Sequence, residues 1–161
     1  MGELLRRLDE VEALGAELEL PSALCNNDTV PANFLRTPAG LRLVDWDYAG
    51  MGSACFELAS FAATAGLDAG QQERLLLSYD EGTDACQVDT VELFRFVAAM
   101  REVAWAVMAL PILSGVTDPG DEAIYERHLE VNLAEARQRA ADESFPAWLR
   151  GARRRAEARS W

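Results

Sequence analysis

The sequence predicts a mostly helical α+β domain with one small β-hairpin in its N-terminal third. Three observations predict it. Apolar residues recur at helical spacing over most of the 161 residues. One polar stretch, residues 22–33, breaks that periodicity. The run NFLR, TPAG, LRLVDW then reads as strand, turn and strand, with Pro38 and Gly40 supplying the turn.

Taken in order, Leu4, Leu5, Leu8, Val11 and Leu14 predict an amphipathic helix over residues 3–17, closed by Pro21. Asn26, Asn27, Asp28, Pro31 and Asn33 crowd into a polar loop. The hairpin follows, and Gly50 and Gly52 mark another loop. Residues 54–65 are rich in Ala, Phe and Leu and predict a buried helix. Residues 69–80 predict a helix that opens with a polar first turn and carries Leu75, Leu76 and Tyr79. A long apolar helix over 88–110 is expected to end near Pro111. Residues 119–140 predict an amphipathic helix with Ile124, Leu129 and Leu133 on its inner side. A last helix starts after Ser144, a suitable N-cap.

Half of the residues are hydrophobic, enough for one core and one compact domain. There is no run of about 18 apolar residues, so no membrane span is expected. The N-terminus has neither the apolar stretch of a secretory signal nor the acid-poor character of a transit peptide, which predicts a cytoplasmic protein. Cys25, Cys55 and Cys86 are odd in number and form no CxxC pair, so no disulfide framework or zinc site is expected. His128, the single histidine, sits in a helical pattern among charges and reads as a surface residue. The net charge of −12 repels nucleic acid and anionic lipid and favours a cationic substrate, or acidic groups that work through Mg²⁺. Residues 150–161 run the other way, with five Arg against one Glu, and read as a solvated helix end. All fifteen basic residues are Arg, so the chain has no Lys.

The polar loop and the hairpin gather acids. Asp28 lies in the loop, Asn33 at its end and Asp45 where the returning strand stops. A hairpin brings Asn33 and Asp45 together, and Asp28 lies five residues before Asn33. Two side-chain oxygens with substrate phosphates and water are what Mg²⁺ takes. Asp28 is then free to accept a proton from an attacking hydroxyl. Asp and Asn are also common turn and cap residues, so spacing alone leaves a purely structural reading open.

The full string LCNNDTVPANFLRTPAGLRLVDWDYAG closely resembles the catalytic loop and metal-binding strand of choline/ethanolamine kinases and aminoglycoside phosphotransferases. Asp28 and Asn33 keep that family's D-x-x-x-x-N spacing, and Val44-Asp45-Trp46-Asp47-Tyr48 matches its second element. The stretch GMGSACFELASFA resembles the Gly-rich turn and buried helix that follow. The resemblance implies the C-terminal lobe of a protein-kinase-like fold, an ATP-dependent phosphotransferase whose acceptor is a cationic alcohol or amino-sugar. By it, Asp28 is the catalytic base or orienting group, Asn33 and Asp45 hold Mg²⁺ on ATP, and Asp47, Tyr48 and Trp105 bind the acceptor.

Several positions depart from the family pattern. Asn26 stands where the family has His, a residue that braces the loop, and a looser loop is expected from it. Glu57 stands where many relatives carry Asp. Met108 replaces a second aromatic and Thr64 an acid, which makes choline itself a doubtful acceptor. The Gly-rich loop and strand Lys that clamp ATP have no counterpart in these 161 residues. The expectation is a catalytic lobe over 1–161 without its N-terminal ATP-clamping lobe, negligibly active alone. The alternative is a non-catalytic remnant acting as a binding or dimerisation module, or paired with a partner that supplies the missing lobe.

Overall fold

The structure, a computed structural model, describes all residues except 19, 21, 80–86, 114–118 and 160–161. Pro21 and Cys86 therefore lie outside the described residues. The order is α1 (Gly2–Gly15), β1 (Ser22–Cys25), a 3₁₀ turn (Pro31–Asn33), β2 (Phe34–Thr37), β3 (Gly40–Leu43), β4 (Gly50–Ser53), α2 (Ala54–Thr64), α3 (Ala69–Tyr79), α4 (Val88–Leu113), α5 (Pro119–Ala140) and α6 (Phe145–Arg159). The protein is thus α+β and mostly helical, with two small antiparallel ribbons.

The long helix α4 is the spine, packed against α2, α5 and α6. Its many apolar residues follow from that position: Val91, Leu93, Phe96, Ala99, Met100, Val103 and Ala106 are buried, while Val107, Met108 and Ile112 towards its end stay exposed. The main core joins Leu4, Val11 and Leu14 of α1 to Leu93, Phe96 and Met100 of α4, and to Phe145 of α6. Phe96 and Phe145 meet edge-on with centroids 5.6 Å apart. Each such side chain contributes about 1.5–3 kcal/mol by leaving water. A second cluster joins Ala54, Cys55 and Ala59 of α2 to Leu76 of α3 and Val91 of α4. A Cβ at Gly151 would come within 1.9 Å of Asp89 Oδ2, so glycine is what lets α6 close onto the start of α4.

A polar network crosses this core, although the buried Arg95 Nε has no hydrogen-bond partner. Gln72, 1% exposed, accepts from Arg95 at 2.8 Å and donates to Glu92 at 2.8 Å. Arg139 also binds Glu92, which carries the network across to α5. Burial, and then the nearby Arg139, pushes Arg95 below the ordinary guanidinium pKa.

Five expectations are corrected. Residues 22–25 are a strand, not part of the loop, and Gly50–Ser53 is its partner, with Cys25 opposite Gly50 and Ser22 opposite Ser53. The sequence GMGS has poor β-propensity, so its strand exists because β1 is there to pair with it. The helix α4 runs through Pro111 to Leu113. Proline leaves the carbonyl four residues back without its helical partner, and here that residue is Val107, which is exposed. Ile124 is 65% exposed rather than inward. Cys55 is disulfide-bonded, against the expectation of no disulfide. Cys25 is free and buried, and burial followed by the charge of Glu57 pushes its thiol pKa up. Among the described residues no helix is long and apolar enough to cross a membrane.

Candidate functional site

The site is built on the segment between β1 and β2. As β1 ends, Asn26 turns its side chain inward and is completely buried. Its Nδ2 donates to the Asp45 carbonyl at 2.6 Å, and its Oδ1 accepts from the Asp28 backbone N–H at 3.0 Å. One amide therefore links the Asp28 loop to the end of the hairpin. The same Nδ2 also reaches the Val44 carbonyl at 3.5 Å, so Asn26 makes two donor contacts and one acceptor contact.

Asn27 and Asp45 both adopt left-handed backbone, with φ of 64° and 59°. Asn and Asp are the non-glycine residues that take this conformation at least cost. Asn27 uses its side chain as a second tie, donating from Nδ2 to the Tyr48 carbonyl at 2.9 Å. Below the loop, Glu57 in the first turn of α2 accepts from the backbone N–H of Asn26 at 2.6 Å and of Asn27 at 3.0 Å. Ser53 caps the same helix by accepting from the Phe56 N–H. Thr64, at the far end of α2, donates to the Thr29 carbonyl at 3.0 Å.

Asn33 closes the loop. Its Nδ2 donates to the Asp28 carbonyl at 2.9 Å and to Asp28 Oδ2 at 3.1 Å. That leaves the amide oxygen of Asn33 as an acceptor. The Val44 N–H donates to the Asn33 carbonyl at 2.9 Å, which continues the β2–β3 register and sets Asp45 one residue beyond. The carboxylate of Asp45 is exposed and makes no hydrogen bond or ion pair among the described residues. The donor set is thus one amide oxygen and one carboxylate, the hard oxygen ligands that fit Mg²⁺ or Mn²⁺. No cluster of three or more His, Cys, Asp or Glu capable of holding a metal occurs among the described residues, so a cation here would depend on further oxygens from phosphate and water.

Asp28 opens onto a cleft of about 710 Å³ between the loop, α4 and α5. Its far wall is aromatic. Trp105 lies 5.4 Å from Tyr125 and 5.9 Å from His128, centroid to centroid. Trp105 is 42% exposed, so it faces the cleft and is not a core residue. Tyr48 lines the near side, while Asp47 is exposed and does not line the cleft.

A polar chain runs along the floor. Arg101 donates to the Asn27 carbonyl at 3.2 Å and to Ser60 Oγ at 3.0 Å, and it pairs with Glu102 at 2.8 Å. The other oxygen of Glu102 meets His128 Nε2 at 3.0 Å. His128 keeps 38% of its side chain exposed, as its reading as a surface residue expects, and the surface it lies on is the cleft. Sequence reasoning missed Arg101, Glu102, Tyr125 and His128. The signals present were the i, i+3 spacing of Tyr125 with His128 and the i, i+4 spacing of Arg101 with Trp105. Neither pair points at the loop until α4 and α5 are packed together.

Residues 2–89 match the phosphotransferase enzyme family. This chain belongs to that family. A thiamine kinase of Salmonella paratyphi B is 33% identical over 105 residues, which is 65% of this phosphotransferase chain and 35% of the Salmonella protein. The chain therefore spans about a third of the length of the curated relatives it matches. A thiamine kinase of Salmonella heidelberg is 43% identical over 56 residues, 35% of this chain and 20% of its own. Among solved structures, a choline/ethanolamine kinase family protein from Mesorhizobium loti superposes with a TM-score of 0.80 at 22% identity, covering 94% of this chain and 50% of that one. The choline kinase LicA from Streptococcus pneumoniae gives 0.65 at 21% identity, covering 84% and 47%. These establish that the phosphotransferase chain has the choline-kinase-like fold, here the part containing the loop, the hairpin and the helices.

Proposed function

We propose that this chain is the acceptor- and metal-binding lobe of an ATP-dependent phosphotransferase, which moves the γ-phosphate to a hydroxyl of a cationic alcohol or amino-sugar. The observation that carries it is the placement of Asp28 at the cleft, its carboxylate held by Asn33, opposite the ring of Trp105. In this reading Asp28 orients the acceptor hydroxyl and accepts its proton. The hydroxyl oxygen bonds to the γ-phosphorus, the bond to the β-bridging oxygen breaks, and ADP leaves. Asn33 and Asp45 would hold Mg²⁺, which when bound offsets the charge on the phosphates. Asn26, Asn27 and Glu57 keep Asp28 in place through the backbone. The donor nucleotide places the reaction in the cytoplasm.

The acceptor is held by Trp105 and Tyr125, with Asp28 and Glu102 supplying negative potential. A ring face over a cation contributes about 0.5–2 kcal/mol. Thiamine, named for the Salmonella relatives, is a hydroxyl-bearing permanent cation and is the first ligand to test. Tryptophan fluorescence or calorimetry should show thiamine binding to the 161-residue chain. Trp105→Ala should weaken it by about threefold to thirtyfold, the equivalent of one cation–π contact. If thiamine, choline and amino-sugars all fail to bind, or bind equally well to Trp105→Ala, the acceptor assignment is wrong. Turnover by these 161 residues alone should be negligible, since no Lys is present to hold the phosphates.

A further inference from the structure

We propose that His128 is a specificity-determining residue of this cleft: its second proton and a cationic acceptor compete for the same negative potential, so acidity expels cationic ligands. The inference rests on the cationic-acceptor reading above and extends it to a residue that reading does not need.

The geometry fixes which nitrogen takes the proton. A carboxylate oxygen only accepts, so at 3.0 Å from Glu102 Oε2 the ring donates from Nε2 when neutral. The second proton must then go to Nδ1, which has no hydrogen-bond partner among the described residues. His128 lines the same cleft as Asp28, and its ring stands edge-on to Trp105 at 78°. A charge on it therefore appears beside the ring face offered to an acceptor.

The charges that face His128 can be counted by element. From α4 come Glu102, in contact, and Arg101, already paired to Glu102. The loop contributes Asp28, the segment after the hairpin Tyr48, and α5 itself Tyr125. With a neutral imidazole the two acids outnumber the one arginine, and the cleft carries an uncompensated negative charge. Protonation cancels it. Imidazole is the side chain whose charge ordinarily changes in the neutral range, so the comparison is made between about pH 8 and pH 5.5. Thermodynamic linkage requires the converse as well: a bound cation must make His128 harder to protonate.

The test uses benzyltrimethylammonium, whose charge does not change with pH. Its affinity for the 161-residue chain should fall about threefold to tenfold between pH 8 and pH 5.5, the effect of a unit charge across a partly hydrated cleft. In His128→Gln, whose amide can still donate to Glu102, the affinity should be flat with pH. Because the chain has a single histidine, its imidazole Hε1 resonance is unambiguous in a tag-free sample, and saturating ligand should move its titration to lower pH. Binding that is pH-independent in wild type, or equally pH-dependent in His128→Gln, or a titration unmoved by ligand, overturns this inference and leaves the cationic-acceptor reading standing. Absence of binding at every pH overturns both.

Discussion

Glu57→Ala is expected to destabilise the protein by about 2–4 kcal/mol, because it strands two backbone donors that each lose a charge-assisted hydrogen bond of about 1.5–3 kcal/mol, less what water returns. Those donors are the N–H groups of Asn26 and Asn27, at 2.6 and 3.0 Å from the two carboxylate oxygens. For a chain of this size the melting temperature should fall by about 5–15 °C. Glu57→Gln should cost roughly half as much, since one oxygen still accepts while the amide NH₂ faces an N–H. Thermal unfolding by circular dichroism measures both. A Glu57→Ala variant that melts within about two degrees of wild type would show that the loop does not hang on this carboxylate.

Asn26→Ala is expected to cost a similar amount, about 2–4 kcal/mol, for a different reason: it leaves the Asp28 N–H and the Asp45 carbonyl unpaired around a small void. The sharper comparison is Asn26→Asp. The side chains have the same shape, and a carboxylate can still accept from the Asp28 N–H at 3.0 Å. It cannot donate to the Asp45 carbonyl, now 2.6 Å away, and two acceptors would face each other in a fully buried place. At neutral pH Asn26→Asp should therefore be no more stable than Asn26→Ala, and it should recover as acid protonates the carboxyl. Chemical denaturation at pH 7 and pH 4.5 distinguishes the two. Because Asn26 and Glu57 act on one short segment, the double variant should lose less than the two single losses combined.

The helices were legible because their apolar spacing is long and repeated. The hairpin was legible because Pro38 and Gly40 mark its turn between two apolar runs. The strand pair β1–β4 was not, because GMGS has no strand character of its own and is held by partners 25 to 31 residues upstream, as the Ser22–Ser53 to Cys25–Gly50 register shows. The site divides in the same way. Asp28, Asn33 and Asp45 lie on one contiguous stretch, where spacing and a family pattern both speak. Trp105 was named through the family resemblance, whereas Glu102, Tyr125 and His128 come from two helices, and only their packing turns them toward Asp28. Ile124 shows the same limit: an apolar residue on an amphipathic helix was assigned to the core, but α5 turns it to the mouth of the cleft.

The central claim is that the loop and hairpin end form a phosphotransferase metal site. It is tested most directly by titrating Mn²⁺, which takes the same oxygen donors as Mg²⁺, into the protein with ATP present and counting free ion by electron paramagnetic resonance. Asn tolerates the left-handed backbone at φ 59° as Asp does, so Asp45→Asn removes the charge and leaves the turn intact. The wild type should bind Mn²⁺ saturably at one ion per chain beyond what ATP alone retains, and Asp45→Asn should weaken that binding by about tenfold or more, at least 1.4 kcal/mol. Equal binding by the two proteins, or none by the wild type, would contradict the assignment.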